Sequence, residues 1–167
     1  RKNHIFAVNC ISWGERCDFM QSIFIRGGRR LSGEIDVQGS KNSSLPILAA
    51  TVLVRGVSVI HNCPYLTDVD AAIQILRHLG CDVKRENHTV IVDSRNVCQC
   101  SIPDLLMREM RSSIVFLGSV LGRMGQAALS SPGGCEIGLR PIDLHLGSLR
   151  KMGVSIEEKG GRIFCTP

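Results

Sequence analysis

The sequence predicts a mixed α/β (α+β) fold built from a repeated unit. Residues 67–93 align without gaps with residues 140–166, and the alignment matches Asp70 with Asp143. Self-similarity of this kind is typical of a repeated structural unit. A further helix and strand precede each copy, so both units run helix, strand, helix, hairpin. Helices that alternate with parallel and antiparallel strands make a layered fold and exclude an all-β fold or a helical bundle.

The first unit spans about residues 41–100. Residues 43–54 are apolar on nearly all sides, which predicts a buried helix with Pro46 tolerated in its opening turn. A second helix is expected to end at Gly80, because glycine is the usual residue of the left-handed turn that ends a helix. A hairpin of alternating apolar and polar residues follows. The remaining elements, a strand, the second helix and the hairpin strands, are expected at residues 57–61, 67–79, 81–84 and 90–92.

The second unit spans about residues 101–167 and repeats this order. Pro103 is expected to open a long helix that runs through Met110 and Val120 to about Gly122. Pro141 suits the first turn of the second helix, because proline is favoured where an N–H group has no helical acceptor. The strands of this unit are expected at residues 127–130, 154–157 and 162–164.

Composition excludes several classes of protein. The 167 residues are 44% hydrophobic, which is enough to bury a core in one domain. The longest apolar run, residues 45–54, is too short to span a membrane, and the first residues lack the apolar stretch of a signal peptide. A cytoplasmic protein with eight reduced cysteines is therefore expected. The net charge of +5 is accompanied by only seven aromatic residues, which is a poor match to a nucleic-acid-binding surface. The positive charge fits small anionic substrates equally well.

One segment, SSPGGCEIGLRPIDLH at residues 130–145, combines a thiol with an anion site. Two glycines precede Cys135, so the cysteine is expected on a bent loop rather than in a packed strand. Arg140 and the positive end of the helix after Pro141 lie five or six residues further on, and both favour an anion. A thiol beside a guanidinium has more thiolate character than a buried one.

Three motifs resemble the enolpyruvyl transferases, and specifically the UDP-N-acetylglucosamine 1-carboxyvinyltransferase family of peptidoglycan synthesis. They are GGRRLSGEIDVQGSKNSSLPILAATVL, MREMRSSIVFLGSVLGRMG and SPGGCEIGLRPIDLHL, and the resemblance runs from about residue 20 to residue 167. It implies repeated βαβαββ units, with mixed sheets outside and helices inside. It also implies transfer of the enolpyruvyl group of phosphoenolpyruvate to the 3'-hydroxyl of UDP-N-acetylglucosamine with release of phosphate, without a cofactor or a metal.

The resemblance also implies the site residues. Cys135 would be the catalytic thiol, which donates a proton and is the target of fosfomycin-type epoxides. Lys41 and Arg140 would also act in catalysis, and both would bind phosphoenolpyruvate together with Asn42. The residues implied for UDP-N-acetylglucosamine are Asn42, Arg111, Arg140, Pro141, Ile142, Asp143 and Leu144. Without the motifs, Cys135 is explained as a structural or incidental cysteine, and Lys41 and Arg111 are explained as ordinary surface residues. The carboxylate of Asp143, like that of Asp70, could simply support a helix start.

Two alternatives stay open, a transferase that uses shikimate 3-phosphate and a non-catalytic fragment that binds UDP-sugars. The lysine motif here is QGSKNSS, whereas the shikimate enzyme has one resembling PGDKS. The general base for the sugar hydroxyl is expected beyond residue 167. Residues 1–19 match nothing in the family and are expected to lie outside the fold, and residues 20–40 to be strand that packs with a second domain. Cys98 and Cys100 have the wrong spacing for a zinc pair.

Overall fold

The structure, a computed structural model, describes Gly27, Gly28, Arg30 and residues 32–130 and 141–167. The predicted extension at residues 1–19, the first part of the 20–40 segment and the Cys135 loop therefore lie outside the described residues. The chain divides into two compact units, one through Asp36 and one from Val37 to Pro167. All helices and strands given below belong to the second of these units.

The helices and strands follow the predicted order. The first half of this unit contains α1 (Lys41–Ala50), a 3-10 turn (Thr51–Leu53), β1 (Val57–Ile60), α2 (Thr67–His78), β2 (Asp82–Glu86) and β3 (Thr89–Asp93). The second half contains β4 (Ser101–Ile102), α3 (Asp104–Glu109), a 3-10 helix (Arg111–Val115), α4 (Phe116–Met124), β5 (Ala127–Ser130), α5 (Asp143–Lys151), β6 (Ser155–Lys159) and β7 (Arg162–Thr166).

The strands form two sheets with the same internal arrangement. In the first, β3 lies between β1 and β2 and is antiparallel to both. In the second, β7 lies between β5 and β6 in the same way, and β4 adds a parallel strand beside β5. The mixed α/β class is therefore confirmed. In both halves the second hairpin strand is central and pairs with the strand that precedes the helix.

Helices from both halves share one core. α1 contacts α2 and α4, and the 3-10 turn after α1 also contacts α4. Leu48, Leu76, Phe116 and Leu117 are fully buried in this core. Gly80 and Gly153, matched by the repeat, end α2 and α5 with φ angles of +102° and +95°. The predicted glycine stops are therefore confirmed, because only glycine adopts this conformation without strain.

The predicted long helix of residues 103–122 is wrong in one respect. It breaks at Met110, which is extended at φ −139° and ψ 140°, and continues as a 3-10 helix and then α4. In a continuous helix the carbonyl of Met107 would accept a hydrogen bond from residue 111. The hydroxyl of Ser113 donates to that carbonyl instead, at 2.9 Å. The break lets both methionine side chains enter the core, where they are 0% and 3% exposed.

The prediction that residues 43–54 form a helix buried on all sides is also wrong. The helix begins at Lys41, and only one of its faces is buried, with Leu45 and Leu48 at the centre of that face. Ile47, Leu53 and Val54 are about half exposed, at 49%, 51% and 47%. The apolar sequence did not distinguish the faces, because its side chains are similar all round the helix.

Within the described ranges, no helix is long and apolar enough to cross a membrane.

Candidate substrate-binding site at the helix starts

Lys41 is the first residue of α1. The preceding Ser40 is extended, at φ −75° and ψ 134°, and its carbonyl accepts from the amide and the hydroxyl of Ser44 at 3.0 and 2.8 Å. The amides of a first helical turn have no acceptor within the helix, and the first turn of α1 holds no acidic residue. The helix start therefore presents a positive end to an anion, with Asn42 exposed beside the lysine.

The turn before Lys41 is fixed by a close contact. The amide of Gly39 donates to Oδ1 of Asn62 at 3.1 Å. A Cβ atom at position 39 would collide with the backbone carbonyl oxygen of Asn62, so no larger residue fits while the two segments stay this close. Asn62 has a positive φ of 55°, which asparagine tolerates better than most residues. The glycine of the GSKN motif thus anchors the start of α1 against the segment between β1 and α2.

The ammonium of Lys41 forms an ion pair with Asp68, the second residue of α2. Nζ lies 2.8 Å from Oδ2, and the two side chains are 47% and 26% exposed. Since α1 and α2 pack together, the pair joins the starts of two neighbouring helices. Sequence reasoning missed Asp68. Its only signal was an acidic residue in a first helical turn, which support of the helix dipole explains equally well.

The start of α2 is held by Arg85 of β2. Its guanidinium donates to Oδ1 of Asp70 at 3.0 Å and to the carbonyls of Cys63 and Pro64 at 3.4 and 2.7 Å. It also lies 4.0 Å from the ring centroid of Tyr65, a cation–π distance. The side chain of Arg85 is only 14% exposed. These contacts fix the segment that leads into α2 and hence the backbone that carries Asp68.

In the second half, the carboxylate that matches Asp70 has different neighbours. Asp143 begins α5 and corresponds to Asp70, but the residue that corresponds to Arg85 is Glu158. Glu158 pairs with Arg150 instead, at 3.1 Å. Among the described residues, Asp143 takes part in no ion pair. Its first-turn position still supports the helix, but the position that matches Arg85 holds no arginine, and the side chain of Asp143 is exposed.

Pro141 lies before the helix and not in its first turn, so that prediction is wrong. Ile142, at φ −102° and ψ 12°, is the residue before α5, and its carbonyl accepts from the amide of Leu146 at 3.0 Å. Ile142 packs against the core, which fixes where the helix begins. Pro141 and Leu144 are exposed, the latter at 89%. One side chain of the segment thus anchors it while its neighbours face solvent.

The geometry gives the positions of the remaining predicted site residues but does not test their roles. Arg111 begins the helical stretch before β5, just as Lys41 begins the stretch before β1, and α1 contacts the 3-10 helix that Arg111 opens. The structure therefore packs the helix that begins with Lys41 and Asn42 against the 3-10 helix that begins with Arg111. Asp143 lies on α5, which packs against β6. Cys135 and Arg140 lie outside the described residues, so their roles stay predictions.

Three of the five described cysteines are buried. Burial raises the pKa of Cys63 and of Cys165, and it raises the pKa of Cys81 to about 11. All three are buried and act as small core residues, as the sequence predicted. Cys98 is exposed. Over residues 32–130 and 141–167, no three His, Cys, Asp or Glu side chains are grouped so that they could hold a metal ion.

Comparison with known proteins agrees with this architecture. The family model for EPSP synthase (3-phosphoshikimate 1-carboxyvinyltransferase) matches residues 25–165. The UDP-N-acetylglucosamine 1-carboxyvinyltransferase 2 of Caldanaerobacter subterraneus subsp. tengcongensis is 58% identical over 141 residues, which are 84% of this chain and 34% of that protein. The chain thus spans about a third of the length of the curated relatives it matches.

Solved structures show the same fold. The enolpyruvyl transferase NikO from Streptomyces tendae superposes with a TM-score of 0.70 at 26% identity, over 84% of this chain and 31% of that one. EPSP synthase from Acinetobacter baumannii superposes with a TM-score of 0.59 at 20% identity, over 80% of this chain and 32% of that one. The fold is therefore that of the enolpyruvyl transferases. The chain belongs to the EPSP synthase family of carboxyvinyltransferases.

Proposed function

We propose that the protein containing these 167 residues transfers the enolpyruvyl group of phosphoenolpyruvate to the 3'-hydroxyl of UDP-N-acetylglucosamine and releases phosphate. The observation that carries this proposal is the 58% identity, over 84% of the chain, to a relative named as a UDP-N-acetylglucosamine 1-carboxyvinyltransferase. The shikimate 3-phosphate alternative is less well supported, because its solved example is only 20% identical. The product is a precursor of peptidoglycan, whose synthesis from these substrates belongs to the cytoplasm.

The helix starts supply the charges that this reaction needs. Phosphoenolpyruvate carries a phosphate and a carboxylate, and its anionic groups favour the positive end of α1. In the proposed complex Lys41 binds the phosphate or the carboxylate, Asn42 binds substrate hydroxyl groups, and Arg140 adds a second cation. Because Asp68 already holds the ammonium of Lys41 at the start of α2, less side-chain freedom is lost when the substrate binds.

The nucleotide is proposed to bind along residues 140–144 and Arg111. Asp143 offers an exposed carboxylate that can accept hydrogen bonds, and Pro141 and Leu144 offer exposed apolar surface to the uracil ring. Anchoring of Ile142 in the core keeps the segment in place. The carboxylate and the apolar surface thus match the polar edge and the flat face of a pyrimidine.

The proposed chemistry is an addition followed by an elimination. A proton is delivered to the methylene carbon of phosphoenolpyruvate, the sugar oxygen bonds to the adjacent carbon, and the hydroxyl proton leaves. Loss of phosphate and of one methyl proton then restores the double bond. Cys135 is proposed to donate the first proton, and its thiolate is the group that would form a covalent adduct. Lys41 and Arg140 stabilise the negative charge of the departing phosphate.

The proposal is tested with the product of the complete reading frame that contains this sequence. Supplied with both substrates, it should release phosphate and convert UDP-N-acetylglucosamine to a product heavier by one enolpyruvyl group, as mass spectrometry measures. Shikimate 3-phosphate should not replace the sugar nucleotide. Turnover with shikimate 3-phosphate but not with UDP-N-acetylglucosamine as the acceptor would refute the proposed acceptor. Binding of UDP-N-acetylglucosamine without phosphate release would favour a non-catalytic protein.

Lys41→Ala tests the role of the lysine. A hydrogen bond to a charged group contributes about 1.5–3 kcal/mol, so kcat/KM for phosphoenolpyruvate should fall by about one to two orders of magnitude. Lys84→Ala is the matched control, because Lys84 is also an exposed lysine but lies on β2 and not at a helix start. An unchanged kcat/KM in Lys41→Ala, or an equal loss in Lys84→Ala, would contradict the assignment. The 167-residue chain on its own should show negligible turnover, because a partial site leaves the reacting groups in water.

A further inference from the structure

We propose that Asp68 is a positioning residue that holds the ammonium of Lys41 ready for phosphoenolpyruvate. This rests on the proposed function, in which Lys41 contacts that substrate. The observation behind it is the ion pair of 2.8 Å between Lys41 Nζ and Asp68 Oδ2. Asp68 is the less exposed partner, at 26% against 47%, so the carboxylate is the fixed element and the lysine the one that is held.

The carboxylate comes from a rigid part of the fold. Val69, the next residue of α2, is fully buried, and the amides of Val69 and Asp70 both donate to the carbonyl of Leu66, at 3.0 and 3.1 Å. Arg85 ties the preceding loop to β2 through the carbonyls of Cys63 and Pro64, contacts that do not require the side chain of Asp70. The backbone of Asp68 is therefore fixed on both sides. A lysine has four flexible side-chain bonds, so its head group is placed accurately only if something fixed holds it.

The pair leaves the lysine able to bind substrate. An ammonium group has three N–H donors, and Asp68 occupies one of them. The others remain for a phosphate or carboxylate oxygen, so the substrate does not have to displace Asp68. Without the carboxylate, the substrate itself must immobilise the lysine, and this cost appears in the affinity for phosphoenolpyruvate.

A second effect acts in the opposite direction. The negative charge of Asp68 repels an anionic substrate, and its removal would strengthen binding. Both side chains of the pair are partly exposed, however, and water and salt weaken such repulsion more than they weaken a direct contact. We therefore expect the loss of orientation to exceed the relief of repulsion. Asp68→Asn separates the orientation of Lys41 from the repulsion of the substrate. Its amide oxygen still accepts a hydrogen bond from Lys41, but the negative charge is gone.

The plain alternative is that the pair only joins α1 to α2. Asp70 provides the matched control, because it lies two residues further along α2 and forms an ion pair of similar length with Arg85, at 3.0 Å. Asp70→Ala removes an ion pair from the same helix start without touching Lys41. A merely structural role for Asp68 would make the two alanine variants resemble each other in melting temperature and in kinetics.

The experiment measures steady-state kinetics of the complete gene product with each substrate varied. Asp68→Ala should raise KM for phosphoenolpyruvate about three- to tenfold, change kcat less than about twofold and leave KM for UDP-N-acetylglucosamine unchanged. Asp68→Asn should stay within about twofold of the wild type, and Asp70→Ala should leave every constant unchanged. In a Lys41→Ala background, Asp68→Ala should not raise KM for phosphoenolpyruvate further, since the orienting effect of Asp68 acts through the lysine.

The outcomes separate the inference from the proposed function. A wild-type protein without phosphate release would overturn the function and this inference with it. An active wild type in which Asp68→Ala lowers KM for phosphoenolpyruvate, or behaves like Asp70→Ala, would overturn the inference alone. If Asp68→Ala does not fold, Asp68→Glu decides the question. It keeps the charge but moves the carboxylate by one methylene, and an unchanged KM in that variant would refute a positioning role.

Discussion

Arg123, in the last turn of α4, joins the two repeated halves, and its removal should destabilise the fold. Its guanidinium donates to the carbonyl of Ser94 at 2.9 Å and, over longer distances of 3.3 and 3.5 Å, to the carbonyls of Val54 and Arg95. All three acceptors belong to the first half of the fold, whereas α4 belongs to the second. Arg123→Met keeps most of the apolar stem and removes these donors.

The magnitude follows from the three contacts. A hydrogen bond from a charged donor to a buried acceptor contributes about 1.5–3 kcal/mol, but only the bond to Ser94 is both short and part-buried. The two longer bonds are exposed and add little. We therefore expect a loss of about 1–2 kcal/mol in the free energy of unfolding. For a chain of this length that corresponds to a fall of about 2–8 °C in melting temperature.

The assay is urea unfolding of the 167-residue chain followed by circular dichroism. Arg123→Met should lower the urea midpoint without changing the slope, because it changes stability and not the surface exposed on unfolding. Arg95→Met is the control, since Arg95 is 66% exposed and, within the described residues, its side chain pairs with its near neighbour Asp93. Its midpoint should fall less than that of Arg123→Met, because an exposed ion pair contributes little to stability. Equal midpoints for Arg123→Met and Arg95→Met would refute the reasoning that Arg123 links the halves.

Two further predictions concern titration and thiol reactivity. Hydrogen bonds from the side chain and then the backbone amide of Arg95 lower the pKa of Asp93 to about 2, so this carboxylate stabilises the fold above its ordinary pKa and loses that contribution as the pH falls toward 2. The difference in unfolding free energy between wild type and Asp93→Asn should therefore shrink between pH 5 and pH 2.5, and a constant difference would contradict the assignment. A fosfomycin-type epoxide should label Cys135 with help from UDP-N-acetylglucosamine, while iodoacetamide should also modify exposed Cys98 but not Cys81, whose pKa burial raises to about 11. Mass spectrometry of peptides from the folded complete gene product distinguishes these sites, and epoxide labelling spread evenly over the cysteines would count against Cys135.

Errors in the sequence interpretation arose where tertiary packing overrides a local pattern. The pattern of residues 103–122 is helical throughout, yet the helix breaks at Met110, because two methionine side chains enter the core. The hydroxyl of Ser113 replaces the lost backbone hydrogen bond to the carbonyl of Met107. The apolar run of residues 43–54 predicted burial on every side, but α1 packs through one face. Neither outcome is encoded within a few residues of the site where it occurs.

The candidate site shows the same division. The motifs predicted site roles for Lys41 and Asn42, which stay predictions, and the structure places both residues at the start of α1. The carboxylate that holds Lys41 could not be selected, because Asp68 lies 27 residues further along the chain and resembles any acidic residue of a first turn. The structure was also needed to show that Asp70 is in an ion pair, because that pair depends on Arg85 of β2 reaching the start of α2.

Local sequence patterns were enough to predict the repeat, the order of helices and strands and the glycines that end α2 and α5, because periodicity, caps and turns depend on residues close together in the chain. The tertiary structure decided which faces are buried, where the helix of the second half breaks and which carboxylate pairs with Lys41. These depend on contacts between elements that are distant in sequence, such as α1 with α2. Their free energies come from packing and from charges brought within about 3 Å of each other, which no local pattern specifies.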